Sequence, residues 1–393
     1  MGLKSYPRLY FELIYVGFAV VMGMGLSTSF LPILASDIDP SGVFVGLVVS
    51  AFFVSRVFIE LPAGIISDRI GRRKLLTIGV GFYALGAFFC AQARVIHILI
   101  LGRAIWGLGT AFFFMTTTTL MIDLFDSKAR GAALGIFQGI EFIGSFIGAP
   151  LGAFLATVVS YTDVFYFTVA LALSSFIVAL TSRSLRTIRS EQTRRSSLPM
   201  ASALSNIRKW SIMLICLITF FRMFIMNGIF STVFQLYLNQ HLLFSLAYIG
   251  IIMSVRTAGL IIATLSSGFL ADRFGRKPIA MVGLLISAAG LATYATISGL
   301  EMFFVIGFFE GFGQGLIFTT LVVLLAESTH PSVMGAAVGL NRTFMDIGGV
   351  VGPIVFMAVY ATFTPQVSFI LALAITMLNV ALLALIGIKS KHM

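Results

Sequence analysis

The chain has 393 residues, of which 59% are hydrophobic and only 10% charged, with a mean hydropathy of +1.04. A soluble protein carries about 25% charged residues, so this composition lacks the polar surface of a cytosolic enzyme, a secreted domain or a disordered scaffold. The net charge of +11 reads as basic loops facing an anionic leaflet rather than as a nucleic-acid surface.

Apolar runs bounded by charge, Pro or Gly predict twelve membrane spans, near 11–35, 43–66, 75–94, 96–122, 131–158, 163–182, 210–238, 245–270, 279–298, 301–326, 334–361 and 366–388. Each is long enough for a helix of about 20 residues to cross a bilayer, and helices are required because a span must satisfy its own backbone hydrogen bonds. Runs such as Val164–Leu180 do not alternate as barrel strands would. The first run follows Lys4 and Arg8 and outlasts a signal-peptide core, so it is expected to be a permanent span. Twenty Lys and Arg fall in one set of connecting and terminal segments and Arg94 alone in the other. The positive-inside rule then predicts a multi-pass plasma-membrane protein with both termini cytoplasmic. The expected organisation is a six-helix bundle over 1–182, a basic cytoplasmic linker over 183–209, and a second six-helix bundle over 210–393.

The halves repeat at an offset of 204 residues. Gly64-Ile-Ile-Ser-Asp68-Arg69-Ile-Gly71-Arg72-Arg73 corresponds to Gly268-Phe-Leu-Ala-Asp272-Arg273-Phe-Gly275-Arg276-Lys277. The same shift relates Gly107-Leu-Gly109 to Gly311-Phe-Gly313, Asp123 to Glu327, Gly131–Gly135 to Gly335–Gly339, and the Gly144/Gly148 pair to Gly348/Gly352. Parallel halves of this kind are a transporter architecture.

On these motifs the chain resembles the major facilitator superfamily over essentially its whole length. The Gly-x3-Asp-Arg-x-Gly-Arg-Arg loop between spans 2 and 3 is similar to that family's most specific signature. Arg103-x2-Trp106-Gly107-x-Gly109-Thr110 in span 4 is similar to its second motif. Gly144-x3-Gly148-Ala149-Pro150 in span 5 looks like the motif of the 12-span drug:proton antiporter branch, and Gly352-Pro353 in span 11 carries the Gly-Pro pair uninterrupted. The resemblance implies an all-α membrane fold of two pseudo-symmetric six-helix bundles. It also implies a cytoplasmic latch, in which Asp68, Arg72, Arg73 and Asp123, with Asp272, Arg276 and Glu327 as the second copy, close one side of the protein. The same geometry serves a static staple.

The residues have a physical reading of their own. Gly64 permits a close helix approach, and Asp68 suits the positive N-terminal end of a neighbouring helix. Gly144, Gly148, Pro150, Gly348, Gly352 and Pro353 read as close packing, with gating as the sharper alternative. Ionisable side chains inside spans are costly and mark function. Arg56 and Glu60 share a face of span 2, as Arg342 and Asp346 do on span 11. Crossed pairs, Glu60 with Arg342 and Arg56 with Asp346, are expected at the seam between halves, either as a permanent network or as a switching one. By the resemblance, spans 4 and 10 line a substrate cavity, with Arg103, Trp106, Thr110, Phe114 and Thr117 on one stripe and Glu310, Gln314 and Phe318 on the other. Arg222, Asn227 and Arg256 lie at mid-span, and Glu141 and Glu310 are the leading protonation candidates, each equally placed to partner Arg222 or Arg256.

These features point to a secondary transporter, most specifically a proton-coupled exporter of small lipophilic or amphipathic compounds, working as a monomer without a cofactor. The alternatives are a sugar or organic-anion carrier, and a transporter-like sensor or scaffold. Neither a Walker motif nor HExxH nor GxSxG occurs, which speaks against ATP hydrolysis and enzyme chemistry. His97, His241, His330 and His392 have no metal-ligand spacing, and Cys90 and Cys216 imply no disulfide framework.

Overall fold

The computed structural model describes residues 7–40, 42–125, 127–187, 210–329 and 334–386, and within these the side chains other than those of 43, 60–69, 122–123, 127–132, 187 and 335–336. Helices α1 (Arg8–Thr28), α2 (Leu31–Ile38), α3 (Val43–Ile70), α4 (Arg72–Ala91), α5 (Ile96–Leu124), α6 (Ser127–Val158), α7 (Tyr161–Thr181) and α8 (Arg183–Thr187) come first. They are followed by α9 (Trp210–His241), α10 (Leu246–Phe274), α11 (Arg276–Tyr294), α12 (Leu300–Ser328), α13 (Met334–Thr362) and α14 (Pro365–Ala384). Among the described residues there is no strand. Eleven of these helices are long and apolar enough to cross a membrane, and α3 contributes the apolar stretch Phe44–Ile59. Leu265 and Phe269 of α10 are 79% and 69% exposed, an apolar outer face stable against lipid rather than water.

The chain divides into two compact units, one of Met1–Thr193 with Leu238–Ser254, the other of Arg194–Tyr237 with Val255–Met393. The division falls inside the basic segment that the sequence sets aside as a linker, and residues 238–254 group with the first unit.

Inside lipid the helices gain little from hydrophobicity and associate by close packing of small residues. In the first unit α1 packs on α6 and α7, and α5 on α3 and α4. A Cβ at Gly144 would stand 2.9 Å from the Phe18 carbonyl oxygen, and one at Gly148 would stand 2.5 Å from that of Met22. The second unit repeats the device, with Gly348 against the Phe220 carbonyl and Gly352 against that of Phe224, where α13 meets α9. Gly107 abuts the Phe52 carbonyl and Gly311 that of Arg256 in the same manner.

Several boundaries depart from the sequence expectation. The first span, expected to run unbroken over 11–35, stops at Thr28 and restarts at Leu31. Pro32 in the first turn of α2 has no N–H to give a continuing helix, and Phe30 is buried with its ring stacked on Tyr161 at 5.0 Å. In α9 the segments Ile229–Val233 and Tyr237–His241 are π-helical. The start of α7 carries a capping box: Ser160 Oγ accepts from the Asp163 N–H at 3.2 Å, and Asp163 Oδ2 accepts from the Ser160 N–H at 3.1 Å. Pro150 leaves the Phe146 carbonyl without its helical donor, and Ser254 Oγ, on the first half of α10, donates to that carbonyl at 3.1 Å.

Candidate functional site

The signature loop is set by backbone conformation. Gly71 and Gly275 cap the N-termini of α4 and α11 at φ 88° and 89°, a region where a Cβ is strained. The glycine therefore permits, without strain, the turn from which the following bases reach the bundle end. Arg73 donates to the Leu180 carbonyl at the end of α7 at 2.5 Å. Lys277, its counterpart in the repeat, donates to the Ala384 and Ile386 carbonyls at 2.7 and 2.9 Å. Leu180 and Ala384 are themselves 204 residues apart. The last base of the motif thus closes the C-terminal end of the last long helix of its own unit, where a cation meets unpaired carbonyls and the negative dipole end. Sequence reasoning missed this role; the Asp123 side chain, the partner expected for Arg72 and Arg73, lies outside the described residues.

In the second copy Arg276 Nε lies 2.8 Å from Glu327 Oε1, an ion pair without hydrogen-bond alignment, and Arg276 Nη1 lies 3.4 Å from Asp272 Oδ1. Arg273 lies over the Phe274 ring. A Cβ at Gly268 would meet nothing within 4 Å among the described residues, so no close helix approach occurs there. The side chains of Asp68, Arg69 and Asp123 lie outside the described residues, as do the surroundings of Gly64.

Within the membrane region of the second unit the polar residues form one chain of contacts. Arg256 on α10 pairs with Glu310 on α12 through Nε and Oε2. Ser287 Oγ on α11 donates to Glu310 Oε1 at 2.9 Å, and Gln314 Nε2 donates to Ser287 Oγ at 2.8 Å. Arg222 Nε on α9 donates to Gln314 Oε1 at 3.0 Å. Glu310 is fully buried, and Arg222 and Arg256 are 7% and 6% exposed. The Arg256 guanidinium carbon stands 3.8 Å from the Phe230 ring centroid, and that of Arg222 stands 5.4 Å from Phe318. Asn227 Nδ2 turns back to the Met223 carbonyl. Glu310 therefore meets Arg256 and not Arg222, a choice the sequence leaves open.

The first unit solves the same positions differently. At the 204-residue offset, Phe52, Tyr83, Trp106 and Thr110 stand where the second unit has Arg256, Ser287, Glu310 and Gln314. Tyr83 and Trp106 meet edge to face at 5.1 Å. Arg103 lies over the Phe52 and Trp106 rings at 4.8 and 5.1 Å, and its Nε has no hydrogen-bond partner. Trp106 is fully buried against Tyr83 and Phe165. The Thr110 and Thr117 hydroxyls bond back to carbonyls of α5. Arg56 lies over Phe52 and Phe114, each at 5.8 Å. Glu141 on α6 lies beside Gly17 of α1, and its Oε1 is buried without a hydrogen-bond partner. Asp346 on α13 is fully buried and Arg342, one turn before it, is half-buried. The Glu60 side chain lies outside the described residues.

Ser287 escaped sequence reasoning, which singled out charged residues within spans; its counterpart at the 204-residue offset is Tyr83. Among the described residues no group of His, Cys, Asp and Glu could hold a metal ion.

The family model of the Major Facilitator Superfamily matches residues 13–230 and 215–392. Multidrug resistance protein 1 of Bacillus subtilis (strain 168) is 25% identical, over 86% of this chain and 86% of that protein. Quinolone resistance protein NorA of Staphylococcus aureus (strain MSSA476) is 23% identical, over 90% of this chain and 89% of its own length. In fold, the chain superposes on the crystal structure of a D-xylose-proton symporter with a TM-score of 0.80 at 16% identity, covering 98% of each chain. A bacterial homologue of the human lysosomal transporter Spinster gives 0.79 at 16% identity, covering 97% of each.

Proposed function

The chain belongs to the major facilitator superfamily, and as a membrane transporter rather than an enzyme we propose that it exports small lipophilic or amphipathic compounds in exchange for protons, by alternating access of its two units. The observation that carries this reading is Glu141. An ionisable side chain inside a span is costly and marks ion pathways and proton relays. Both oxygens of Glu310 are engaged by Arg256 and Ser287, whereas Glu141 keeps one buried oxygen without a partner. Glu141 is accordingly the carboxyl that exchanges the proton, and Glu310 holds the position of Arg256. The export direction draws on the two bacterial relatives, whose names are those of drug-resistance proteins.

In the same reading the loops at Asp68 and Asp272 act as cytoplasmic latches, and Arg56, Glu60, Arg342 and Asp346 form crossed pairs that exchange during the cycle. The protein works as a monomer in the plasma membrane with both termini cytoplasmic, the orientation that the basic segments favour.

The test is transport in proteoliposomes under an imposed pH gradient, with lipophilic dyes, sugars and organic anions offered in turn. Proton movement driven by a lipophilic compound, and lost in Glu141→Gln while binding persists, is the expected result. Proton movement driven by sugars alone, or full coupled transport by Glu141→Gln, refutes the reading.

A further inference from the structure

The polar chain of the second unit does not balance in charge. It contains two guanidinium groups, Arg222 and Arg256, and one carboxylate, Glu310. Arg256 takes that carboxylate, and the remaining Glu310 oxygen accepts from Ser287. For Arg222 the described contacts are a carboxamide oxygen on Gln314, the Met223 sulfur at 3.7 Å and the face of Phe318. None of these is an anion, and Arg222 makes no ion pair among the described residues. Its charged neighbours are Arg256, which repels it, and the Glu310 already engaged. An uncompensated buried cation costs several kcal/mol, so its retention at 7% exposure calls for a counter-charge that the described residues do not supply.

Resting on the transporter reading above, we propose that Arg222 binds the carboxylate of an amphipathic, singly charged organic anion, and that this is a class of solute the protein carries. One negative charge neutralises the net +1 of the chain of contacts, whereas a doubly charged phosphate would overshoot it. A planar guanidinium offers a carboxylate two parallel N–H donors, and here Nε is held by Gln314, which fixes the plane of the fork. The Phe318 ring and the Met223 thioether beside it supply an apolar surface for the rest of the solute.

The test uses two probes of nearly equal shape, 1-naphthylacetate and its neutral counterpart 1-naphthylacetamide, titrated by calorimetry into the full-length protein in nanodiscs. Wild-type protein is expected to bind the acetate at least about tenfold more tightly, a difference of about 1.4 kcal/mol. Arg222→Gln, checked for folding by size exclusion and thermal melting, is expected to lose that preference and keep its affinity for the amide. Arg222→Lys keeps the charge without the fork and is expected to retain part of the preference. Equal affinity of wild-type protein for the two probes, including binding of neither, overturns the inference without use of any variant. So does an undiminished preference in folded Arg222→Gln. Dye-driven proton transport by the same preparation reads the parent proposal separately: its persistence alongside equal probe affinities sinks only the anion site.

Discussion

Replacing Glu310 by Gln tests the buried pair at the centre of the second unit. The substitution keeps the shape of the side chain and leaves Arg256 at 6% exposure facing the Phe230 ring and the Met226 sulfur. Breaking one partner of a buried ion pair costs about 3–5 kcal/mol. The new carboxamide oxygen still accepts from Ser287, which retains about 0.5–1.5 kcal/mol of hydrogen bonding. The expected net loss is about 2–4 kcal/mol, and for a unit of this size each kcal/mol lowers the melting temperature by roughly 2–4 °C. Glu310→Gln should therefore melt roughly 4–16 °C below the wild type in a fixed detergent, followed by intrinsic fluorescence. Arg256→Met removes the stranded charge, so the double variant should be more stable than the sum of the single losses implies, by about 2 kcal/mol or more. A Glu310→Gln protein melting within about 1 °C of wild type, or strictly additive losses, would refute the argument that charge compensation holds this site together.

Alanine at Gly71 or Gly275 places a Cβ at φ 88° or 89°, and each should cost about 1–2 kcal/mol by thermal melting. Gly268→Ala, in a helix with open space around it, should cost nothing or stabilise slightly. Lys277→Met removes the donor to the Ala384 and Ile386 carbonyls, so amides in the last turn of α14 should exchange hydrogen several-fold faster while those of α12 are unchanged.

Much of the fold is legible in the sequence because lipid imposes one rule on every span. Each must be a helix of about 20 apolar residues, so hydropathy alone places all twelve within a few residues of α1 and its continuation to α14. The break at Ser29–Phe30 was not legible from hydropathy, since an apolar residue that ends a helix against Tyr161 looks like one that continues it. The site was legible in part. The cost of charge in lipid singles out Arg222, Arg256, Glu141 and Glu310, but Ser287 and Tyr83 are neutral and carry no such mark.

The sequence by itself determined the class of the protein, its two-fold internal repeat, and the small inventory of charges within the spans. These follow from local rules: hydropathy and the expense of ionisation away from water. Only the tertiary structure decided which charges meet. Glu310 goes to Arg256, Arg73 and Lys277 reach helix ends, and among the described residues Arg222 is left with a carboxamide, a thioether and a ring. Pairing depends on the rotation of each helix about its axis, and that rotation is set by carbonyl-on-glycine contacts between helices distant in the chain, such as Gly311 on Arg256, which no single span's sequence contains.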